Sequence, residues 1–213
     1  NHMNSMNKIY LYGASGHGKV IAEIVEENGN AIQGVFDDDP SVKELLEYPS
    51  LGAFDAAKFE KGAHMIISVG NNDVRRQIAR QLKVPFATAV HPAANISKRS
   101  SLGEGTVAMA GVSVNSNVTI GDHVILNTNC SVDHDCELGD FVHVSPNVAL
   151  AGNVKVGEGT HLGIGSCVIQ GIIIGKWATI GAGTVVITDV PDHAVIVGNP
   201  GRIIKYSKGT LAL

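Results

Sequence analysis

Asp133-His134-Asp135 interrupts an otherwise mild run, with Asn-Thr-Asn-Cys-Ser-Val before it and Cys-Glu-Leu-Gly-Asp after it. An imidazole between two carboxylates can serve as a proton acceptor, because a neighbouring acid both orients the ring and stabilises its charged form. A solvated turn carrying two acids and a histidine fits the local spacing equally well. Two further histidines follow, His143 and His161, and between them lies Gly152 in the run Ala-Gly-Asn. Whether these residues meet depends on the elements that carry them.

Those elements are legible from Ile96 to Pro191. Written in sixes from Ile96, the first positions are Ile, Leu or Val in every hexad except that of Ala108. The fifth positions, from Ser100, Thr106 and Val112 on to Val190, are small or aliphatic and never charged. Glycine recurs at the second position, as Gly103, Gly121, Gly139, Gly157, Gly163, Gly175 and Gly181. A period of six fits neither a helix at 3.6 nor a strand at 2, and predicts a parallel β-helix of hexapeptide repeats, three hexads to a coil. An all-β sandwich would show turn signals every 8–12 residues instead. The first position points inward, and glycine at the second is expected to supply unusual turn dihedrals. The spacing leaves the hand of the coil open.

With eighteen residues to a coil, equivalent positions stack about 4.8 Å apart. Gly152 then lies one coil above His134, and His161 one coil above His143. An imidazole beside an amide uncovered by any side chain is a base beside an oxyanion donor, the pair that acyl transfer requires. His134, His143 and His161 are the candidate ligands for a zinc site. The close pair of histidines used by hexapeptide-repeat carbonic anhydrases is absent, and His134 is half a coil out of step with the other two, so no metal is expected. Cys130 and Cys136 occupy inward fifth positions and are expected to be buried thiols, not nucleophiles and not a disulfide.

Residues 6–95 read as a small α/β unit. Lys8–Tyr12 is a buried strand, followed by Gly13-Ala-Ser-Gly-His-Gly18 and a helix from Lys19 to about Asn28. Strand, glycine turn and helix in that order suit a phosphate, since backbone amides and the helix N-terminus converge on it. A second strand, 32–36, ends in Asp37-Asp38-Asp39, where a Rossmann-like unit carries an acid for a ribose hydroxyl. A third, 64–69, runs into Gly70-Asn71-Asn72 and a helix with Arg75 and Arg76, and a fourth is expected near 85–90. The glycine spacing is not that of a dinucleotide site, and ninety residues are half of such a domain, so a mononucleotide or a nucleotide sugar fits better than NAD.

The whole chain bounds the rest. At 213 residues, 44% apolar and 17% charged, it suits one or two soluble globular domains. A formal charge of −4 without a Lys/Arg run argues against nucleic acid or an anionic membrane as partner. No apolar run approaches a membrane span and no signal-peptide pattern precedes the first strand, so a cytoplasmic protein is expected. Asn1 to Met3 look like an expression scar, with Met6 a plausible native start.

The order GASGHG, DDD, VGNN with a following Arg, SVDHDCELGDFVHVS, LAGNVKVGEG, IGAGTVV and VGNPGRIIK resembles bacterial nucleotide-sugar N-acetyltransferases, those of UDP-4-amino sugars and their perosamine-type relatives. The family is related to sialic-acid O-acetyltransferases, and sugar O-acetylation is the alternative reading; a non-catalytic nucleotide-sugar sensor is another. The resemblance implies a left-handed coil over 96–205, a homotrimer with active sites between prisms, and acetyl-CoA as co-substrate. It implies His134 as general base, Asp135 (or its rival Asp133) as its support, and the Gly152 amide as oxyanion donor. Asn127, His143, Gly152, Ile164, Gly181, Ala182 and Gly183 match cofactor-side positions. Gly13, Ser15, Gly16, His17, Gly18, Asp37, Asp38, Gly70 and Asn71 match the UDP side. The chain departs from the family in carrying Asp where close members have Glu after the histidine, and in Pro146-Asn147.

Overall fold

The computed structural model describes residues 7–207, so the expected scar and start at Met6 lie outside the described residues. The N-terminal unit is built on three parallel strands, β1 (Lys8–Tyr12), β2 (Ala31–Phe36) and, after a short hairpin of β3 (Glu44–Leu45) and β4 (Tyr48–Pro49), β5 (His64–Ile67). Their spatial order is β2-β1-β5. Helix α1 (Gly16–Glu27) buries Ile21, Ala22, Ile24 and Val25 on one side, and helix α2 (Asn72–Gln81) covers the other with Ile78. The alternating faces of β1 serve both: Ile9 and Leu11 join the core of α1, Tyr10 and Tyr12 that of α2.

The expected fourth strand of this sheet does not form. Phe86 touches β5 by a single bridge, while Ala89–Val90 pairs in parallel with Val107–Ala108 of the repeat. The Pro85 carbonyl and the Ala87 amide still bond Met65 of β5, and by Ala89 the backbone amide donates to Thr106 of the repeat instead. The α1 core therefore continues without a break into the interior of the repeat, through Ala89, Val107 and Ala108.

From there the chain winds as a three-sided prism. The first face carries the strands from Asn95–Ile96 to Val185–Val186, the second those from Ser101–Leu102 to Ile173–Ile174, and the third those from Ala89–Val90 to Ala194–Val197. Rungs pair residues eighteen apart, as in His143 with His161, until the last coil, which closes in sixteen as Ile180 pairs with Ile196. The first positions of the hexads are buried from Ala108 onward, and only Ile96 and Leu102 at the open end are part-exposed. A final strand, Arg202–Tyr206, turns back antiparallel on Ala194–Val197. No helix of the described residues is long and apolar enough to cross a membrane.

The hexad does its turning with a different residue than expected. The second-position glycines do not have positive φ; the left-handed residue is the fourth, as in Asn117 (φ 60°), Asp135 (φ 59°) and Asn153 (φ 58°), with Gly at others and the bulkier His123, Phe141 and Trp177 along one edge. Asn, Asp and Gly are the types that accept this region at least cost. The second-position glycines answer a lack of space: a Cβ on Gly139 would stand 2.7 Å from the Glu158 amide, and one on Gly163 2.6 Å from the Ile180 carbonyl. Small polar fifth positions have their own task. Thr106 Oγ1 donates to the Gly121 carbonyl and accepts from the Val124 amide, and Thr160 makes the equivalent pair of bonds, to Gly175 and from Ala178, further along the same edge. Cys136 repeats this with its thiol, donating to Ala151, and all three cysteines are free.

Candidate active site

His134 sits on the edge between the first and second faces. Its Nδ1 is 2.7 Å from Asp135 Oδ2, with both side chains more than half exposed. Neighbouring strand residues would point apart; the left-handed turn at Asp135 is what swings its carboxylate back to the ring. Asp133 is used differently, its Oδ1 accepting from the His134 backbone amide at 2.8 Å and from Asn115 Nδ2 at 2.7 Å. Hydrogen bonding to Asp135, then the charge of Asp133, raises the His134 pKa above the ordinary 6.5. The ring lies over Gly152, where a Cβ would stand 2.6–2.7 Å from Cε1 and Nε2. The Gly152 amide has no hydrogen-bond partner among the described residues, whereas its neighbours Ala151 and Asn153 donate along the ladder. A free amide and a free imidazole nitrogen thus face the same space.

A second group gathers on the third face, against the N-terminal unit. His17, in the first turn of α1, has its ring 6.3 Å from that of His143, which lies 4.8 Å from His161. Asn127 Nδ2 and His143 Nε2 are 3.1 Å apart. Burial pushes His17 down to about 4 and His143 to about 3, and lowers His161, so these imidazoles stay neutral where His134 titrates. Ile164, Gly181, Ala182 and Gly183 line the adjoining edge between the third and first faces, Ile164 at 54% exposure.

The nucleotide-side residues converge at the C-terminal ends of the parallel strands, where open α/β sheets bind ligands. Gly13 has φ +114°, a conformation that needs glycine, and a Cβ on Gly18 would stand 2.7 Å from the Gly13 carbonyl. Ser15 caps α1 without a side-chain bond, no acid lies in the first turn, and the amides of Gly16, His17 and Gly18 have no partner among the described residues. That helix end is open to an anion. Asp37 holds the turn, Oδ2 accepting from the Ala14 amide at 2.8 Å and Oδ1 from Asp39 at 2.9 Å, while Asp38 accepts from the Tyr12 hydroxyl at 2.7 Å. Asn71 is the N-cap of α2, its Oδ1 accepting from Val74 at 3.0 Å. Gly70 and Asn71 also line a cleft of about 350 Å³ with His161, Trp177 and Thr179.

Sequence reasoning missed what fixes the two units together. Arg75 is 1% exposed. Its Nε donates to the His123 carbonyl (2.8 Å), one terminal nitrogen to Phe141 O and Asn72 Oδ1 (both 2.9 Å), and the other to Val69 O and Gly70 O (3.0 and 3.2 Å). Asn72 Nδ2 adds a bond to Gly159 O at 3.0 Å. His123, Phe141 and Gly159 occupy one stacked edge of the prism, so a single guanidinium bridges the β5–α2 turn to successive coils. Burial lowers its pKa to about 9, which leaves it charged at neutral pH. A helix arginine gives no sign in sequence that its partners include carbonyls 48 and 66 residues away.

The structure therefore brings the glycine turn, His17, His143, Asn127 and the Ile164 edge together, and sets His134, Asp135 and Gly152 apart from them. In a three-sided prism, the edge joining the first and second faces lies across from the third face. His134, His143 and His161 do not converge, and no group of three or more His, Cys, Asp or Glu among the described residues is arranged to hold a metal ion.

An α/β unit clamped to a hexapeptide-repeat prism, with a His–Asp pair on one edge, defines a class of two-domain sugar-modifying proteins, and comparison with known proteins gives the family. A family profile, the PglD N-terminal domain, matches residues 8–82. The acetyltransferase domain of PglB from Neisseria gonorrhoeae FA1090 is 35% identical, covering 93% of this chain and 100% of that one, with a TM-score of 0.87. PerB from Caulobacter crescentus, solved in complex with CoA and GDP-perosamine, is 37% identical over 94% of this chain and 99% of that one, with a TM-score of 0.89. The UDP-N-acetylbacillosamine N-acetyltransferase of Bacillus subtilis (strain 168) is 40% identical over 113 residues, so the match spans about half of each protein, 49% of this chain and 52% of the relative. The chain belongs to the nucleotide-sugar N-acetyltransferase family of PglB and PerB.

Proposed function

We propose that this protein transfers the acetyl group of acetyl-CoA to the 4-amino group of a UDP-linked amino-dideoxy sugar, as in the synthesis of UDP-N,N'-diacetylbacillosamine. The observation that carries the reading is His134, held by Asp135 on one side and lying over the unpartnered Gly152 amide on the other. The family likeness supports the substrate classes: the PglB domain has been solved with acetyl coenzyme A, PerB with CoA and GDP-perosamine.

In this reading the sugar amine attacks the thioester carbonyl carbon directly. His134 Nε2 takes the proton that the nitrogen must lose. Asp135 accepts from Nδ1–H and so keeps the lone pair on Nε2. The carbonyl oxygen gains charge as the tetrahedral adduct forms, and the Gly152 N–H stabilises it. Collapse breaks the C–S bond, and the imidazolium returns its proton to the leaving thiolate. No enzyme nucleophile is needed, since holding both substrates in one cleft supplies much of the rate.

The open amides of α1 suit the diphosphate, and the Asp37–Asp38 acids suit the ribose. Because the edge that carries His134 lies across the prism from the third face, a complete site takes the base from one chain and the nucleotide-side residues from another. That supports a homotrimer with sites between prisms, acting in the cytoplasm where acetyl-CoA and nucleotide sugars are available. The domain limits of 6–95 and 96–205 are proposed as the working division of labour.

The test is thiol release from acetyl-CoA with UDP-4-amino-4,6-dideoxy-N-acetylglucosamine, with GDP-perosamine and free sugars in parallel. Release with the UDP-amino sugar alone is the expected result. Release with a free sugar hydroxyl acceptor alone would replace this reading by O-acetylation.

A further inference from the structure

The acids that flank His134 are themselves held from below. Asn115-Ser116-Asn117 underlies Asp133-His134-Asp135 residue for residue, one coil earlier. Asn115 Nδ2 donates to Asp133 Oδ1 at 2.7 Å, the oxygen that also receives the His134 backbone amide. Asn117 Nδ2 donates to Asp135 Oδ1 at 3.3 Å, and the Asp135 amide donates to the Ser116 carbonyl at 3.1 Å.

We propose that Asn117 is a positioning residue of the acetyl transfer, acting on His134 through Asp135. The inference rests on the reading of His134 as the base. The two oxygens of one carboxylate are divided: Oδ1 receives the Asn117 amide, and Oδ2 meets His134 Nδ1 at 2.7 Å. A carboxylate tied at both oxygens cannot rotate without losing a bond, so Oδ2 stays on Nδ1. That fixes the Nδ1–H tautomer and presents the Nε2 lone pair on the Gly152 side of the ring. The donor is neutral, so it orients Asp135 without adding a charge that would compete for the imidazole proton. The Asn117 side chain makes no other hydrogen bond among the described residues.

An asparagine at this corner has a second reason to exist, since position 117 is left-handed (φ 60°). Asn117→Gly separates the two, because glycine accepts that conformation and removes only the amide. In the acetyl-CoA and UDP-amino-sugar assay, Asn117→Gly is expected to lower kcat about tenfold, the scale of one hydrogen bond to a charged group at its weaker end. KM for both substrates stays within twofold and the melting temperature is unchanged. In an Asp135→Asn background the same change is silent, because the amide acts only through that carboxylate. Asn117→Asp, which adds a carboxylate beneath the pair, moves the acid limb of kcat/KM to higher pH.

Wild-type kcat in Asn117→Gly, or losses that multiply with those of Asp135→Asn, would overturn the proposal while leaving His134 as base. Full turnover in His134→Ala would remove the base and this inference with it, so the two failures are distinguishable.

Discussion

Asp135 reaches Nδ1 of its own chain neighbour His134 at 2.7 Å because it occupies a left-handed corner, φ 59°. In a regular strand the two side chains would lie on opposite sides. The turn that closes each coil of the prism is thus also the device that assembles the pair, and Asn153, one coil above, holds the same conformation at φ 58° with no acid to contribute.

Because Asp135 and then Asp133 raise the His134 pKa, the unprotonated form is lost on acidification at a pH above the usual histidine value. The acid limb of kcat/KM is expected above pH 6.5, and Asp135→Asn should move it to lower pH while reducing kcat. A pH–rate profile of the two proteins checks this; a limb that does not move would exclude Asp135 as the partner that matters.

His134→Ala should reduce kcat by about two to four orders of magnitude, the range of a lost general base. Nucleotide-sugar affinity measured by calorimetry should stay within about twofold, because the α1 amides and the acids after β2, and not His134, are assigned the diphosphate and ribose. Unchanged turnover would sink the assignment.

Gly152→Ala puts a methyl where the imidazole lies, within 2.7 Å of Nε2. The ring must move, so kcat should fall by a factor of about a hundred or more, a shift of roughly an ångström at the reacting group being costly. Thermal unfolding should change little, since the ring has solvent to move into.

Asp37→Ala frees the Ala14 and Asp39 amides that shape the glycine turn. The acceptor KM should rise at least about tenfold, with a smaller effect on kcat, as expected for a residue that acts on binding. Steady-state kinetics with the acceptor varied decide it, and a change confined to kcat would contradict the role.

Burial holds His17 and His123 at about 4 and His143 at about 3 in the folded protein, against about 6.5 when unfolded. Between those values the unfolded chain binds protons that the folded one does not, so stability falls as pH drops below 6.5. Melting temperatures from pH 7 to pH 5 should decline, and His143→Gln should make the decline shallower. A flat wild-type curve would show that the cluster is not buried in solution.

The prism was legible because its rule is local: one aliphatic every six residues states both the pitch and the inward face. The same rule puts Gly152 one coil from His134, as the structure shows. It misassigned the turn, since glycine marks two needs, positive φ and close approach, and composition does not separate them. The expected fourth strand failed for another reason. Ala89–Val90 is apolar enough for either sheet, and only the three-dimensional path decides which edge it joins. Arg75 and Asn117 were invisible because their partners, carbonyls and a carboxylate on other coils, leave no trace at the donor's own position in the sequence.

The eighteen-residue rung makes the prism a ruler. A whole coil inserted or deleted would preserve every inward side chain, and would carry an edge group up or down by one step of about 4.8 Å. Six or twelve residues would keep the aliphatic row inward but carry every later corner to another edge. Distance between the proton acceptor on one edge and the groove on another can therefore change only in whole steps. New acceptor sizes within this architecture are expected to come from exchanging side chains at the corners, or from shifting an entire prism against its neighbour, and not from lengthening a coil.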